Sequence, residues 1–189
     1  MSIAEGRTLT RRQELLAIAA DEFAEFGFHN VTVDDIGRAA GVSGPALYHH
    51  FAGKEALLGE MLVSISQQLY DGGKMLAESR PPDLLEQLIL FHCQFAVDNR
   101  SLITVHFRDL IHASVGDRRR VRRLQATYAS LWTNTVIAKN PRVDERTAHA
   151  AVHATFGLIN STPFSSTLPR AAMIDLLSAM SSSALGRLG

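Results

Sequence analysis

Tyr48, His49 and His50 stand in a row, with Ser43 upstream and Lys54 downstream. A phenol, two imidazoles, a hydroxyl and an ammonium on one short segment are donors suited to phosphate oxygens and base edges. Gly44, Pro45 and Ala46 lie between them and are small enough to let a helix start approach a polyanion closely. Elsewhere, Arg118-Arg119-Arg120-Val121-Arg122-Arg123 packs five cations into six residues. Such a run is either a solvated helix face or a seat for an anion, the phosphates of an acyl-coenzyme A or of DNA being two candidates. Glu145, His149 and His153 recur every four residues and share one helical face, a spacing that suits a metal, a polar stripe or a seam between subunits. Cys93, the single cysteine, lies in an apolar stretch and reads as a core thiol before it reads as a redox sensor.

Signatures of catalysis are missing from the sequence. It has no G-x-S-x-G, no G-x-G-x-x-G and no H-E-x-x-H. Gly53-Lys54 lacks the upstream glycine of a phosphate loop, and the absence of Glu-x-x-His argues against a di-iron bundle. The expectation is a protein that is not an enzyme and holds no cofactor or metal. At 189 residues the chain is long enough for one domain, or one plus a small module. Its 19 Lys and Arg balance 19 Asp and Glu, so no global charge points to nucleic acid or membrane. A lone cysteine rules out a disulfide framework. The first residues lack a signal peptide's apolar core and no run approaches the roughly 20 residues of a membrane span, so a cytoplasmic protein with no membrane partner is expected.

The elements that must position these residues are helical throughout. Leu15, Ile18, Ala19, Phe23 and Phe26 mark the buried face of a first helix, opened by a Thr10/Gln13 capping box and stopped at Gly27. Thr32 with Asp35 opens a second, which stops at Gly41. Ser43 is the expected cap of a third, about 44–50, with Pro45 in its first turn. A long helix is predicted from Lys54 to about Glu78, weakened near Gly72-Gly73. Asp83 with Glu86 opens the next, and further helices fit at about 101–113, 117–139, 144–160 and 169–187. The pattern gives eight or nine helices and no sheet.

Two short helices joined by Gly41-Val42-Ser43 fit the helix–turn–helix unit, whose second helix enters the DNA major groove. The stretch Thr32-Val33-Asp34-Asp35-Ile36-Gly37-Arg38-Ala39-Ala40-Gly41-Val42-Ser43-Gly44-Pro45-Ala46-Leu47-Tyr48-His49-His50-Phe51-Ala52-Gly53-Lys54-Glu55-Ala56-Leu57-Leu58 resembles the DNA-binding signature of the tetracycline-repressor (TetR) family. The resemblance covers about residues 10–58. It implies an all-α fold, with a three-helix DNA-binding domain at 1–54 and a helical ligand-binding and dimerisation domain at 55–189. It also implies a homodimer that reads a palindromic double-stranded operator, with Tyr48 and Lys54 on the DNA backbone. Thr32, Val33, Ser43, Gly44, Pro45, Ala46, Tyr48, His49, His50 and Lys54 are the expected DNA-binding residues. Many members carry a polar or basic residue at the position of Gly44, so fewer side chains read bases here. Residues 1–54 hold five Lys and Arg against seven Asp and Glu, which predicts weak non-specific binding.

The rest of the chain carries no motif that names a ligand. Its candidate pocket lining is Phe91, Phe95, His106, Phe107, Leu110, Tyr128, Trp132 and Phe156, with His92 and Arg108 as further polar handles. An unidentified apolar or acyl-type effector is the expected small-molecule partner. Ala148, Ala150, Ala151, Ala154, Gly157, Ser178, Ala179 and Ser182 make the last two long helices rich in small residues, which suits close packing at a dimer seam. These features predict a ligand-responsive DNA-binding regulator, most simply a repressor. The competing reading is a helical ligand-binding or enzymatic protein whose helix–turn–helix does not bind DNA.

Overall fold

The computed structural model describes residues 10–165 and 167–188; Arg7, counted above among the cations of the N-terminal arm, lies outside them. Among the described residues it holds ten α-helices and no strand. They are α1 (Arg11–Phe26), α2 (Val33–Ala39), α3 (Gly44–Tyr48), α4 (Lys54–Ser79), α5 (Leu84–Asp98) and α6 (Arg100–Asp109). There follow α7 (Val115–Lys139), α8 (Glu145–Ile159), α9 (Thr162–Ser165) and α10 (Arg170–Gly186). Two 3-10 turns, Phe28–Asn30 and Leu110–His112, link α1 to α2 and α6 to α7. The all-α prediction holds.

Local signals account for most of the boundaries. The capping boxes at Thr10/Gln13 and Thr32/Asp35 both form, each hydroxyl accepting from the backbone three residues on. Gly41, with φ of 66°, makes the turn that sends α3 away from α2. Other expectations need correcting. Ser43 occupies the cap position of α3 in extended conformation, but its side chain makes no capping bond, and Pro45 pre-sets the first turn instead. Asp83 likewise caps nothing with its side chain. The helix expected to reach 113 tightens into a 3-10 turn after Asp109, and the expected break at Ser161-Thr162-Pro163 contains the single-turn α9.

Two hydrophobic clusters form the interior. The first gathers Leu15, Phe23, Ile36, Leu47 and Phe51 around Leu57, Leu58, Met61 and Leu62 of α4, and adds Val105 and Val121 from α6 and α7. Helix α3 has five residues, too short to persist alone; burying Leu47 and Phe51, at roughly 2–3 kcal/mol each, holds it in place. The second cluster, with Leu88, Ile89, Cys93, Trp132, Val152 and Leu177, fills the body between α5, α7, α8 and α10. Helix α4 passes unbroken from one to the other, through Gly72 and Gly73. Those glycines are contact points: a Cβ on Gly72 would lie 2.2 Å from Phe91 Cζ, and one on Gly73 2.5 Å from Tyr128 Cε2.

Candidate functional site

Most of the predicted DNA-contacting residues lie on or beside α2 and α3, in the head formed by α1, α2, α3 and the start of α4. Tyr48 is 58% exposed, and Thr32, Ser43, Pro45 and His49 are exposed beside it. Val33, Ala46 and His50 are half-buried, and Gly44 is the first residue of α3. The Thr32 hydroxyl donates to Asp35 Oδ2 at 2.6 Å, so it serves the α2 cap. That bond, with the Thr32 amide and Arg38, holds the Asp35 carboxyl down to about 2.

The head's described cations all have internal partners. Arg11 pairs with Glu14 at 2.9 Å and donates to Ala40 O at the end of α2. Arg12 pairs with Glu60, donates to His50 O just after α3, and lies 4.3 Å over the Phe51 ring. Arg38 pairs with Asp35 at 2.8 Å. Lys54 Nζ donates to Phe28 O at 2.8 Å and Val31 O at 2.9 Å, leaving one N–H for a phosphate. These cations fasten α1, α2, α3 and α4 to one another. The exposed side chains of α3 and its C-cap are Pro45, Tyr48 and His49.

A cavity of about 270 Å³ opens in the body between α4, α5, α6, α7 and α8. Of the residues expected to line it, Phe95, His106, Phe107, Tyr128 and Phe156 do. Phe91, Leu110 and Trp132 do not. Phe91 lies on Gly72, Leu110 packs on the head cluster, and Trp132 is fully buried behind His92 and Phe156. Arg108 also leaves the cavity: it donates to Phe23 O and Ala24 O at the end of α1 and pairs with buried Asp109 at 3.0 Å. His92 does line it. The sequence reading missed Ile65, Ser66, Leu69, Ile103, Gln125, His153, Gly157 and Asn160.

The cavity's imidazoles are all less basic than a free one. Burial pushes His92 down to about 4, against a hydrogen bond at 3.3 Å with Asn160. Burial also lowers His106, whose Nε2 accepts from Gln125 Nε2 at 2.6 Å. His153 is lowered by burial and then by His149, their rings 4.4 Å apart on α8. Among the described residues no group of three His, Cys, Asp or Glu is placed to hold a metal, so Glu145 does not join that pair. No helix of the described residues is long and apolar enough to cross a membrane.

Residues 15–61, which span α1 to the first turns of α4, match the family described as bacterial regulatory proteins, tetR family. That stretch of the chain is a tetR-family regulatory domain. The transcriptional repressor KstR2 of Mycobacterium tuberculosis is 35% identical over 105 residues, 55% of this chain and 52% of that protein. The chain thus spans about half the length of that curated relative. Among solved structures, the TetR-family regulator PfmR of Thermus thermophilus superposes with a TM-score of 0.81 at 22% identity, covering 97% of this chain and 99% of that one. The M. tuberculosis KstR2 structure, described as a ketosteroid transcriptional regulator, gives 0.80 at 22%, covering 97% of each. This TetR-family fold also leaves an apolar face uncovered on α8 and α10. Ala150, Ala154 and Gly157 are exposed on α8, and Ala172, Leu176, Ala179 and Met180 on α10. Phe164 of α9 is 83% exposed.

Proposed function

We propose that this protein is a homodimeric transcriptional repressor that binds a palindromic operator through α3 and releases it when a small apolar effector enters the body cavity. Residues 1–54 are the DNA-binding domain and 55–189 the effector and dimer domain, and the protein acts in the cytoplasm without enzymatic chemistry. The observation that carries the reading is the position of α6. Ile103, His106 and Phe107 line the cavity, while Arg108 on the same helix grips the last carbonyls of α1. An effector that displaces α6 therefore moves the base on which α3 rests. A ligand favouring the displaced form weakens DNA binding by its coupling factor, typically five- to 150-fold. The kinship with KstR2, a ketosteroid regulator, supports a bulky apolar effector, and an acyl chain fits the same lining.

A gel shift with DNA flanking the protein's own gene tests the reading. Tyr48→Phe should weaken operator and non-operator binding alike, whereas a bulky residue at Gly44 should change operator choice. One observation favours a second reading, a helical ligand-binding protein with an inactive helix–turn–helix: Arg11, Arg12, Arg38 and Lys54 are internally engaged. Absence of any shift even at low salt would select it.

A further inference from the structure

We infer that the body cavity selects an uncharged apolar molecule carrying a hydroxyl group, which it seats between His92 and Tyr128. The inference rests on the cavity being the effector site proposed above, and it concerns what that site accepts. Ile65, Phe95 and Phe156 make the walls apolar, and among the described residues no Asp, Glu, Lys or Arg lines them. An anionic or cationic group inside would be desolvated without a counter-charge.

Two lining side chains end in buried polar atoms that have no hydrogen-bond partner among the described residues. His92 is 2% exposed, and its Nε2–H donates to Asn160 Oδ1, which fixes Nδ1 as a bare acceptor. Tyr128 is 3% exposed and its hydroxyl makes no hydrogen bond of good geometry among the described residues; burial pushes the phenol up, against the neighbouring Trp132 indole N–H, so its own O–H stays free to donate. The two rings are 5.6 Å apart. Buried polar atoms without partners are uncommon and call for an explanation. A hydroxyl accepts one bond and donates another, so a single group on the ligand satisfies both. A carbonyl or ether accepts from Tyr128 and leaves His92 Nδ1 bare, and a carboxylate has nothing to neutralise it. Of the other polar side chains at the wall, His106 accepts from Gln125 and the Ser66 hydroxyl donates to Leu62 O, while His153 stands on exposed α8 surface.

Trp132 provides the readout, being the sole tryptophan and lying edge-on to His92 and Phe156 at 5.8 and 5.0 Å. The full chain is titrated, without DNA, with decahydro-2-naphthol, with decalin and with decahydronaphthalene-2-carboxylate, following indole fluorescence. The alcohol should bind roughly tenfold more tightly than decalin, and the carboxylate more weakly than either. In Tyr128→Phe and His92→Phe the preference for the alcohol should fall to about threefold or less. Tyr128→Phe removes one oxygen and decides the matter if His92→Phe does not fold. The inference is overturned by decalin or the carboxylate matching the alcohol, by a preference intact in Tyr128→Phe, or by no saturable signal with any probe. Selective alcohol binding that leaves a protein–DNA complex unmoved would instead sink the effector-release reading while the cavity's preference stood.

Discussion

A lysine ammonium has three N–H donors, and Lys54 gives two of them to the Phe28 and Val31 carbonyls. Lys54→Ala is therefore expected to lower stability by about 2 kcal/mol, read by urea unfolding, because two charge-assisted bonds are lost from a half-exposed site. The same variant should change the salt slope of DNA binding by less than the one unit of a full phosphate contact. A variant that unfolds like wild type but drops a full unit would return Lys54 to the phosphate. His92 supplies a pH prediction. Burial holds it at about 4, below the 6.5 of a free imidazole. As pH falls from 6.5 the unfolded chain takes the proton first, so stability declines between pH 6.5 and 4. The loss should be on the order of 3 kcal/mol, and melts of His92→Phe should be flatter over that window. None of this was legible from residue type. A lysine after a short helix looks like a phosphate contact until the carbonyls that face it are seen, and His92 differs from exposed His49 only by its surroundings.

At the scale of single helices, Gly73 sets two effects against each other. Alanine is the better helix former by about 1 kcal/mol, yet its Cβ would meet Tyr128 Cε2 at 2.5 Å with that ring fully buried. Overpacking of this kind costs typically 1–3 kcal/mol, so Gly73→Ala should destabilise on balance, as measured by thermal melting. A melting temperature above wild type would show that the Tyr128 ring gives way freely. Elements were legible where their causes are local. The Thr10 and Thr32 boxes close within four residues, and the 3.6-residue periodicity marks the buried face of α1. Cavity residues were legible only by halves. Phe95, His106, Phe107, Tyr128 and Phe156 stand out as aromatic or titratable side chains on apolar faces. Gln125, His153 and Asn160 became lining through the way α7 and α8 cross α5 and α6, which no single helix encodes. Trp132 was bound to be buried, but which side of His92 it occupies is a packing outcome. Arg108 was misread because its partners lie more than eighty residues away, at the end of α1.

Two recognition helices must sit about one DNA turn apart, roughly 34 Å, and one chain supplies a single α3. The uncovered small-residue face of α8 and α10 is the proposed seam, so Ala154→Glu or Gly157→Glu should bury a charge there. Sedimentation should then find monomers, and operator affinity should collapse; a wild type that is monomeric at micromolar concentration would end the proposal. The interior has a consequence for protein engineering. Leu47 and Phe51 share one hydrophobic cluster with Leu57, Leu58, Met61 and Leu62 of α4, Val105 of α6 and Val121 of α7. A chimera that transplants residues 1–54 onto a foreign body would split that cluster and close it with side chains that never fitted it. Hybrid sensors cut at that junction should misfold unless those six positions travel with the graft. The first 54 residues and the helices that follow them are thus packed as one interior rather than as separable modules.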